Sequence, residues 1–378
     1  MMKILKTPEI FFAENSLFEL RGIIERLGVK KVLVVTSPSI VKTGIYSKIE
    51  SLLENQELVL FKDTKPDPDI ELISQVVDIA GNNKIEAVIG IGGGSPIDTA
   101  KVAAALAVNK EGIYDVIGVE LLKKEALPII AIPTTAGTGS EVTHIAILSD
   151  KKDGIKKGIV STKILPSYAI LDPLLTLDVP PSVTAGSGMD ALTHAIEAYT
   201  SVNANEYTDN LALKAVEIII NNIKTAYEQG KNIEARKNML LGSLMAGLAF
   251  ANAGVAAVHA FAYPLGGMFD IPHGVANSLM LSTIMEHNAE VCNEKYINLG
   301  KVVSEINIEP DNYTIIKYVI DLCHFLNIPK NLSEMNIPES AIPQMAESVM
   351  NVTRLLGNNP VKICLEDAKK IYTTAFSR

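Results

Sequence analysis

The sequence predicts an α/β domain with a parallel sheet, followed by an all-helical domain. In the first half of the chain, short apolar runs alternate with amphipathic stretches, as in proteins whose strands and helices alternate. From about residue 184 onward, the strand-like runs stop and apolar residues recur at helical spacing. Pro180 and Pro181 stand at this change. Because adjacent prolines interrupt regular structure, we place the boundary there, with an α/β domain over 1–180 and a helical domain over 181–378.

Several apolar runs are candidates for buried strands. They are KVLVVTS (31–37), ELVLFKD (57–63), EAVIGIGGG (86–94), PIIAIPTT (128–135) and YAILDP (168–173). Continuous apolar runs of this length are typical of parallel strands that helices cover on both faces. Amphipathic stretches such as IYSKIESLLEN and ELISQVVDIAGNN lie between them and are candidates for those helices. In the second half, DNLALKAVEIIINNIKTAYEQ and LEDAKKIYTTAF show helical periodicity.

The composition limits the classes of partner. The chain has 378 residues and a formal net charge of −9. This charge argues against a nucleic acid or an anionic membrane surface as the main partner, because both bind to basic patches. Cys292, Cys323 and Cys364 are widely spaced and form no C-x-x-C pair, which argues against a disulfide framework and a thiolate zinc site. A reducing cytoplasm is therefore the expected location.

Two segments bear on membrane insertion. The N-terminal stretch MMKILKTPEIFFAENS lacks the continuous apolar run of a signal peptide. The segment from Asn238 to Phe269 carries no Lys, Arg, Asp or Glu and is long enough to span a bilayer. It is rich in Gly and Ala, however, includes Asn252 and His259, and has no basic cluster at either end. We expect it to be buried within the helical domain.

The stretch AVIGIGGGSPIDTAK (87–101) predicts a strand, a glycine turn and the start of a helix. The glycines at 92–94 allow a ligand to approach the backbone closely. Ser95 is the expected N-cap, Pro96 suits the first helical position, and Asp98 completes a capping box. A helix that starts at a glycine turn can bind a phosphate group at its N-terminus. A tight turn before a capped helix, without any ligand, explains the same residues, and the motif is neither G-x-G-x-x-G nor a P-loop.

A second polar loop, IPTTAGTGSEVT (132–143), follows another predicted strand. Its hydroxyl residues are Thr134, Thr135, Thr138, Ser140 and Thr143. Hydroxyl and free N–H groups can bind a pyrophosphate or a ribose, although polar loops without a ligand are common. Ligands of open α/β sheets bind at the carboxyl ends of the strands. Two such loops after two parallel strands therefore favour a Rossmann-like dinucleotide-binding domain.

Two stretches predict a metal site. In GSGMDALTHAIEAYTS, Asp190 and His194 are four residues apart and share one face of a helix, which we expect to begin at the cap-like GSG. In VHAFAYPLGGMFDIPHG, His259 and His273 add two imidazoles, and His273 is expected at a turn or helix start. One carboxylate and three imidazoles suit Fe(II), Zn(II), Mn(II) or Co(II). The alternative is that these histidines are separate core residues with satisfied hydrogen bonds.

Four stretches together resemble the iron-containing (group III) alcohol dehydrogenases. They are GGGSPIDTAK, PTTAGTGSEVT, GMDALTHAIEAY and HAFAYPLGGMFDIPHGVAN, in the order of that family. The resemblance covers nearly the whole chain and implies a dehydroquinate synthase-like fold with a dinucleotide-binding domain and a helical metal domain. It implies NAD(H) or NADP(H), and a divalent metal, Fe(II) or Zn(II), held by Asp190, His194, His259 and His273. It also implies a homodimer or a larger homo-oligomer.

The resemblance further implies which residues bind the cofactor. The matching positions are Gly93, Gly94, Ser95 and Asp98 in the glycine motif, Thr134, Thr135 and Thr138 in the second loop, and Lys156 in DGIKKGIVS. Ser37 stands where the family often has an aspartate that accepts the adenosine ribose hydroxyls. A carboxylate there would repel a 2′-phosphate, whereas serine can donate a hydrogen bond to it. Ser37 therefore predicts that NADP(H) is accepted.

Two positions bear on the substrate. Tyr263 stands where the family often has a histidine, four residues after His259. With RLLGNNP (354–360), it resembles a branch that includes 4-hydroxybutyrate dehydrogenases and hydroxyacid–oxoacid transhydrogenases. We expect Tyr263 to donate a hydrogen bond to a polar substrate or to water, and Arg354 to bind a substrate carboxylate. The alternative for Tyr263 is simple packing before Pro264.

The predicted function is metal-dependent, NAD(P)-linked oxidation of a small alcohol such as a hydroxy acid, or reduction of the matching aldehyde. The metal is expected to act as a Lewis acid on the substrate oxygen while a hydride passes between substrate and nicotinamide. One alternative is a lyase or cyclase of the dehydroquinate synthase type, which needs several basic residues around its substrate. The other is a non-catalytic nucleotide-binding protein, against which the intact metal positions argue.

Overall fold

The computed structural model describes residues 3–151, 155–304 and 309–378. These residues form two compact units, Lys6–Val179 and Pro180–Arg378, and the described residues before Lys6 belong to the second unit. Strands with covering helices form the first unit, and helices form the second. This arrangement confirms the predicted fold class.

In the described part of the chain, the strands of the first unit form two sheets. Their bounds are β1 Glu9–Phe12, β2 Lys31–Val35, β3 Glu57–Phe61, β4 Ala87–Gly92, β5 Gly118–Val119, β6 Ile129–Pro133, β7 Ile145–Asp150, β8 Ile155–Val160 and β9 Tyr168–Leu171. The larger sheet has the order β1-β9-β6-β4-β2-β3, and its described pairings are parallel. The smaller has the order β5-β8-β7, in which β7 and β8 are antiparallel. The predicted strands correspond to β2, β3, β4, β6 and β9 and are confirmed.

Helices cover the larger sheet and build the second unit. Those of the first unit are α1 Glu19–Leu27, α2 Pro38–Lys42, α3 Ile45–Leu52, α4 Ile70–Asn82 and α5 Gly94–Leu106. Those of the second are α6 Pro181–Thr200, α7 Glu206–Glu228, α8 Ile233–Ala253, α9 Ala257–Phe269, α10 His273–Asn288, α11 Asn293–Val303, α12 Thr314–Phe325, α13 Ile342–Met350, α14 Thr353–Leu356 and α15 Leu365–Ser377.

Alternate residues of β2 face opposite layers of helices. Val32 and Val34 pack in a cluster with α1 and α3, whereas Leu33 and Val35 pack in a second cluster with α4 and α5. Because both faces are buried, the strand is a continuous apolar run rather than an alternating one. The same burial accounts for the apolar runs of β4 and β6.

The parallel register brings the two predicted cofactor loops together. At the carboxyl ends of β4 and β6, Gly92 pairs with Pro133. The glycine turn after β4 and the polar loop after β6 therefore begin side by side, at the end of the sheet where open α/β folds bind ligands.

In the second unit, α6 packs against α7, α8 and α10, and each residue from Gly188 to Thr200 is buried. The helix begins at Pro181, whose fixed φ suits a first turn. The predicted start at GSG is therefore wrong, because GSG lies inside the helix. Gly188 serves close packing instead: a Cβ at this position would lie 2.7 Å from Cδ1 of Ile223.

The uncharged segment 238–269 forms most of α8 and all of α9, and most of its residues are buried. Among the described residues, no single helix is long and apolar enough to cross a membrane. The helices α8 and α9 reach those criteria only as a pair that is bent by 104°.

Candidate metal centre and cofactor loops

The predicted metal ligands come from three helices of the second unit. Asp190 and His194 lie one turn apart on α6, His259 lies in the first turn of α9, and His273 is the first residue of α10. The start of α10 approaches the backbone of α6 closely, because a Cβ on Gly274 would lie only 2.2 Å from the carbonyl oxygen of Gly186. This glycine thus lets His273 come near Asp190.

Three of the four predicted ligands converge. The Oδ1 atom of Asp190 lies 3.8 Å from Nε2 of His259 and 3.7 Å from Nε2 of His273, and one ligand atom from each of these residues lies within 4.8 Å of the others. His194 lies at the edge of this group, with Nε2 3.9 Å from Oδ1 of Asp190. Its ring stacks between His259 and Phe250, at centroid distances of 4.7 and 4.3 Å.

The site is buried on most sides. Asp190, His194 and His259 are buried, whereas the His273 side chain is 30% exposed and marks the open side. Burial raises the pKa of Asp190, but the surrounding imidazoles and the amide of Asn277 lower it more, so that the pKa lies below its ordinary value. The aspartate is therefore favoured in the ionised form that binds cations.

Glu197 is a residue of this site that the sequence patterns missed. Its Oε2 atom lies 2.5 Å from Nδ1 of His259, and its Oε1 atom accepts a hydrogen bond from the Val258 N–H at 2.6 Å. One buried carboxylate thus contacts the His259 ring and the backbone just before it. Glu197 lies seven residues after Asp190 on the same side of α6, a spacing that is its only signal in the sequence.

Asn277 is a second missed residue. Its Nδ2 atom donates to Oδ1 of Asp190 at 2.7 Å and lies 3.1 and 3.3 Å from Nε2 of His259 and His273. The side chain is fully buried, and Oδ1 has no hydrogen-bond partner among the described residues. The N–H groups of Asn277 thus face the lone pairs that a cation would take. Its position four residues after His273 on α10 places it on the same helical face.

The two predicted substrate residues lie on neighbouring helices. The helix α9 continues through Pro264, so that Tyr263 is one turn after His259 and half-buried. Arg354 is exposed on α14, which packs against α9.

The asparagines of RLLGNNP hold the chain near α9. Nδ2 of Asn358 donates to the Val255 carbonyl at 2.9 Å, and the Asn359 and Asn288 side chains exchange two hydrogen bonds of 3.0 Å. The first contact fixes the segment that leads into α9. The motif thus supports the helix that carries His259 and Tyr263.

The glycine turn differs from its prediction in one respect. The helix α5 begins at Gly94 with Gly93 at the N-cap, so the predicted N-cap at Ser95 is wrong. The Ser95 hydroxyl lies in the first turn and accepts a hydrogen bond from the Asp67 N–H at 3.2 Å. Gly92 has a φ of 144°, which side chains rarely adopt. The N–H groups of the first turn of α5 have no partner within the helix and can bind an anion.

The second loop packs directly on this turn. The Thr134 N–H donates to the Gly92 carbonyl at 2.8 Å. A Cβ on Gly93 would lie 3.4 Å from the Thr135 hydroxyl, and a Cβ on Gly94 would lie 3.0 Å from the Thr138 side chain. The structure therefore brings the glycines and threonines of the two predicted cofactor loops together.

Asp98 makes its contacts inside the protein. Its Oδ1 atom accepts from the Ser140 hydroxyl at 2.5 Å, and Oδ2 accepts from the Ile147 N–H at 2.9 Å. The carboxylate joins α5 to the second loop and to β7. It does not form the expected capping box, because the helix begins before Ser95.

The last two predicted cofactor residues lie outside the two loops, one on a strand and one before a helix. Lys156 is on β8, where its Nζ atom lies 2.7 Å from Oδ1 of Asp67 and its side chain is 3% exposed. Ser37 directly precedes α2, and its hydroxyl lies 2.9 Å from that of Ser39. Asp67, which also contacts Ser95, was not predicted, since a loop aspartate carries no pattern of its own.

Known proteins resemble this chain over nearly its whole length. A family model described as iron-containing alcohol dehydrogenase matches residues 7–173, and one described as Fe-containing alcohol dehydrogenase family, C-terminal, matches residues 184–376. The long-chain-alcohol dehydrogenase 1 of Geobacillus thermodenitrificans is 40% identical over 363 residues, or 94% of this chain and 91% of that protein.

Solved structures agree with these matches. A 1,3-propanediol oxidoreductase has a TM-score of 0.95 at 34% identity, with 100% of both chains covered. The sulfoacetaldehyde reductase from Bifidobacterium kashiwanohense, solved in complex with NAD+, has a TM-score of 0.90 at 30% identity, with 100% of this chain and 99% of that chain covered.

Proposed function

The chain belongs to the iron-containing alcohol dehydrogenase family, and we propose that it interconverts a small alcohol and its aldehyde with a divalent metal and NAD(H) or NADP(H). The family matches confirm the predicted resemblance and enzyme class. The observation that carries the proposal is the convergence of Asp190, His259 and His273 within a buried site. The relatives are named as dehydrogenases and reductases, which favours this function over a lyase or a non-catalytic protein.

The residues present fit a divalent metal. A carboxylate with neutral imidazoles is a donor set for Fe(II) or Zn(II). The N–H groups of Asn277 lie against the same donor atoms of Asp190, His259 and His273, so these atoms are already directed at one point. We assign Asp190, His194, His259 and His273 as the ligands, with Fe(II) as the first choice of metal from the family description.

Once bound, the metal supplies a Lewis acid for the substrate oxygen, and the nicotinamide supplies the hydride acceptor or donor. The protein contributes a fixed, buried donor set. Glu197 orients the His259 ring so that Nε2 faces Asp190, and Phe250 stacks on the His194 ring. Burial of these side chains excludes water from all but the His273 side.

The cofactor proposal rests on the packed loops of the first unit. The free N–H groups at the start of α5 suit a pyrophosphate, and the adjoining Thr135 and Thr138 supply hydroxyls. A related structure contains NAD+, which supports a nicotinamide dinucleotide here. Ser37 places no carboxylate where it would repel a 2′-phosphate, so we propose that the protein accepts NADP(H) as well as NAD(H).

The substrate is proposed to be a small alcohol with a second polar group. Two compared proteins are named for such compounds, 1,3-propanediol and sulfoacetaldehyde, whereas one is named for long-chain alcohols. Tyr263 follows the ligand His259 by one helical turn, and its phenol can donate a hydrogen bond at neutral pH. Arg354, on a helix packed against α9, is the proposed partner of a substrate carboxylate.

An alcohol and aldehyde panel tests the function. Metal-free protein is loaded with Fe(II) without oxygen, or with Zn(II), and the absorbance of NADH and NADPH is followed with each substrate. The proposal predicts turnover that depends on added metal and appears with both cofactors. Metal-loaded protein that turns over no alcohol or aldehyde with either cofactor would contradict it.

Assembly and location complete the proposal. We propose a cytoplasmic homodimer or larger homo-oligomer, supported by the family resemblance, the net charge of −9 and the three free cysteines. Light scattering coupled to size exclusion gives the mass in solution, which a monomer would place near 40.7 kDa.

A further inference from the structure

We propose that Lys101 is a positioning residue for the dinucleotide: from inside α5 it holds the second cofactor loop against the glycine turn. The inference rests on the proposed function, because it assigns a role in binding the same cofactor. Lys101 closes the glycine motif but lies two helical turns after the glycines. Because this distance keeps Lys101 away from a pyrophosphate bound at the glycines, we infer that it acts through the second cofactor loop.

Lys101 uses its three donors on one segment. Its Nζ atom donates to the Ser140 hydroxyl at 2.8 Å, the Thr143 hydroxyl at 3.3 Å and the Ile145 carbonyl at 2.7 Å. The side chain is fully buried. These contacts bind the end of the second loop and the first residue of β7 to one face of α5.

Asp98 completes the connection. The Ser140 hydroxyl accepts from Lys101 and donates to Oδ1 of Asp98, which lies 3.6 Å from Nζ of Lys101. A single hydroxyl thus bridges the two charged residues of α5. Because α5 begins at Gly94, any shift of this network moves the loop relative to the N–H groups that would bind the pyrophosphate.

A buried ammonium group is costly to keep for stability alone, since replacing a buried ion pair by well-packed apolar residues is often neutral. The carboxylates of Asp98 and of the buried Glu141 balance this positive charge. Burial lowers the pKa of Lys101 to about 8, and the two carboxylates limit how far it falls. A role in holding the second cofactor loop at a fixed distance from α5 explains why the buried residue at this position is charged. An apolar side chain would fill the space without directing Ser140 or Thr143.

The test compares Lys101→Met with Thr99→Val, a control on the same helix. The Thr99 side chain is fully buried, and its hydroxyl has no hydrogen-bond partner among the described residues, so its loss should leave the loops unchanged. Dissociation constants for NADH and for ADP-ribose are measured by calorimetry, together with bound metal and the thermal midpoint. ADP-ribose keeps the adenosine, the pyrophosphate and the second ribose but lacks the nicotinamide ring, so it reports on binding without any nicotinamide contact.

We expect Lys101→Met to raise both dissociation constants by the same factor, on the order of tenfold, the effect of losing one net hydrogen bond from a charged group. Bound metal should not change, and kcat at saturating cofactor should fall less than kcat/KM for the cofactor. Hydrogen exchange of amides 134–143 should be faster. If Lys101→Met does not fold, Ser140→Ala is measured instead and should raise both constants several-fold.

Three results would overturn the role proposed for Lys101, and a fourth would overturn the proposed function as well. Unchanged constants in the folded variant overturn the inference, as does a rise for NADH without a rise for ADP-ribose, which would place the effect at the nicotinamide. Unchanged constants in Ser140→Ala overturn it when that variant is used. A wild-type protein that binds neither ligand overturns the proposed function along with the inference.

Discussion

The Nδ1 atom of His259 lies 2.5 Å from Oε2 of Glu197, and both side chains are buried. The second oxygen of this carboxylate accepts the N–H of Val258. Glu197 therefore fixes the ring and the backbone of one predicted ligand at once, with Nε2 directed toward Asp190. A carboxylate behind a ligating imidazole also makes the imidazole a better donor to a metal.

Replacing Glu197 by Gln should weaken metal binding. The amide has one acceptor oxygen, so it cannot serve both the His259 ring and the Val258 N–H. We expect the dissociation constant for Zn(II) or Co(II) to rise about 10- to 100-fold, as for other partners of metal ligands. Competition with a chelator measures this dissociation constant. The control is Glu217→Gln, because Glu217 is exposed and pairs only with Lys214 in the described structure. Equal affinity in Glu197→Gln and the control would remove Glu197 from the site.

The close crossing of α6 and α10 should be sensitive to one methyl group. In Gly274→Ala the new Cβ would meet the Gly186 carbonyl oxygen at 2.2 Å, so the helices must separate and carry His273 away from Asp190. We expect bound metal to be largely lost. Gly186→Ala is the matched control, because its Cβ would meet only Cγ2 of Val275, at 4.0 Å. Full metal content in Gly274→Ala would show that the crossing does not set the site.

Glu141 should make stability depend on pH. Burial raises its pKa from 4.5 to about 7, against the opposing effects of its own backbone and of Lys101. Because the folded-state pKa is raised, its contribution to stability is full below about pH 4.5 and is lost as the pH rises through 7. The Glu141→Gln side chain cannot ionise. The free energy of unfolding of this variant, minus that of the wild type, should therefore be larger at pH 8 than at pH 5, by up to about 3 kcal/mol.

Urea unfolding of the metal-free proteins at pH 5 and pH 8 measures this difference. Removing the metal keeps the pH dependence of metal binding out of the comparison. A stability difference between Glu141→Gln and the wild type that is the same at both pH values would contradict the buried, raised-pKa assignment.

Tyr263→Phe should separate binding of the metal from choice of substrate. The variant keeps the ring but removes the hydroxyl group, and with it the hydrogen-bond donor proposed for the substrate. We expect unchanged metal content and a fall in kcat/KM that is larger for hydroxy acids and diols than for simple alcohols. An equal effect on both substrate types, or none, would leave Tyr263 as a packing residue.

The parallel strands could be predicted because burial on both faces leaves a continuous apolar run, as in β2 and β4. The antiparallel pair β7 and β8 gave no such run: β7 alternates in burial, and β8 carries Lys156 and Lys157. The expected caps at Ser95 and at GSG were wrong because tertiary contacts decided those positions. Gly94 and Gly188 allow close packing, and Ser95 contacts the Asp67 backbone.

The predicted ligands could be found because Asp190 and His194 share helical spacing and histidine is rare in this chain. Glu197 and Asn277 have equally regular spacing, but a helical carboxylate or amide is usually at the surface. Their roles depend on partners that are distant in the sequence, His259 for Glu197 and Asp190 for Asn277. No local pattern specifies such pairings.

The amount of bound metal per chain shows whether Asp190, His194, His259 and His273 hold one ion. Wild-type protein and the Asp190→Ala and His273→Ala variants are loaded with Fe(II) or Zn(II), dialysed and analysed by mass spectrometry of the metal, with His324→Ala as an exposed control. We expect a single ion per chain in the wild type and the control, and little bound metal in the other two variants. A full complement of metal in His273→Ala would contradict it.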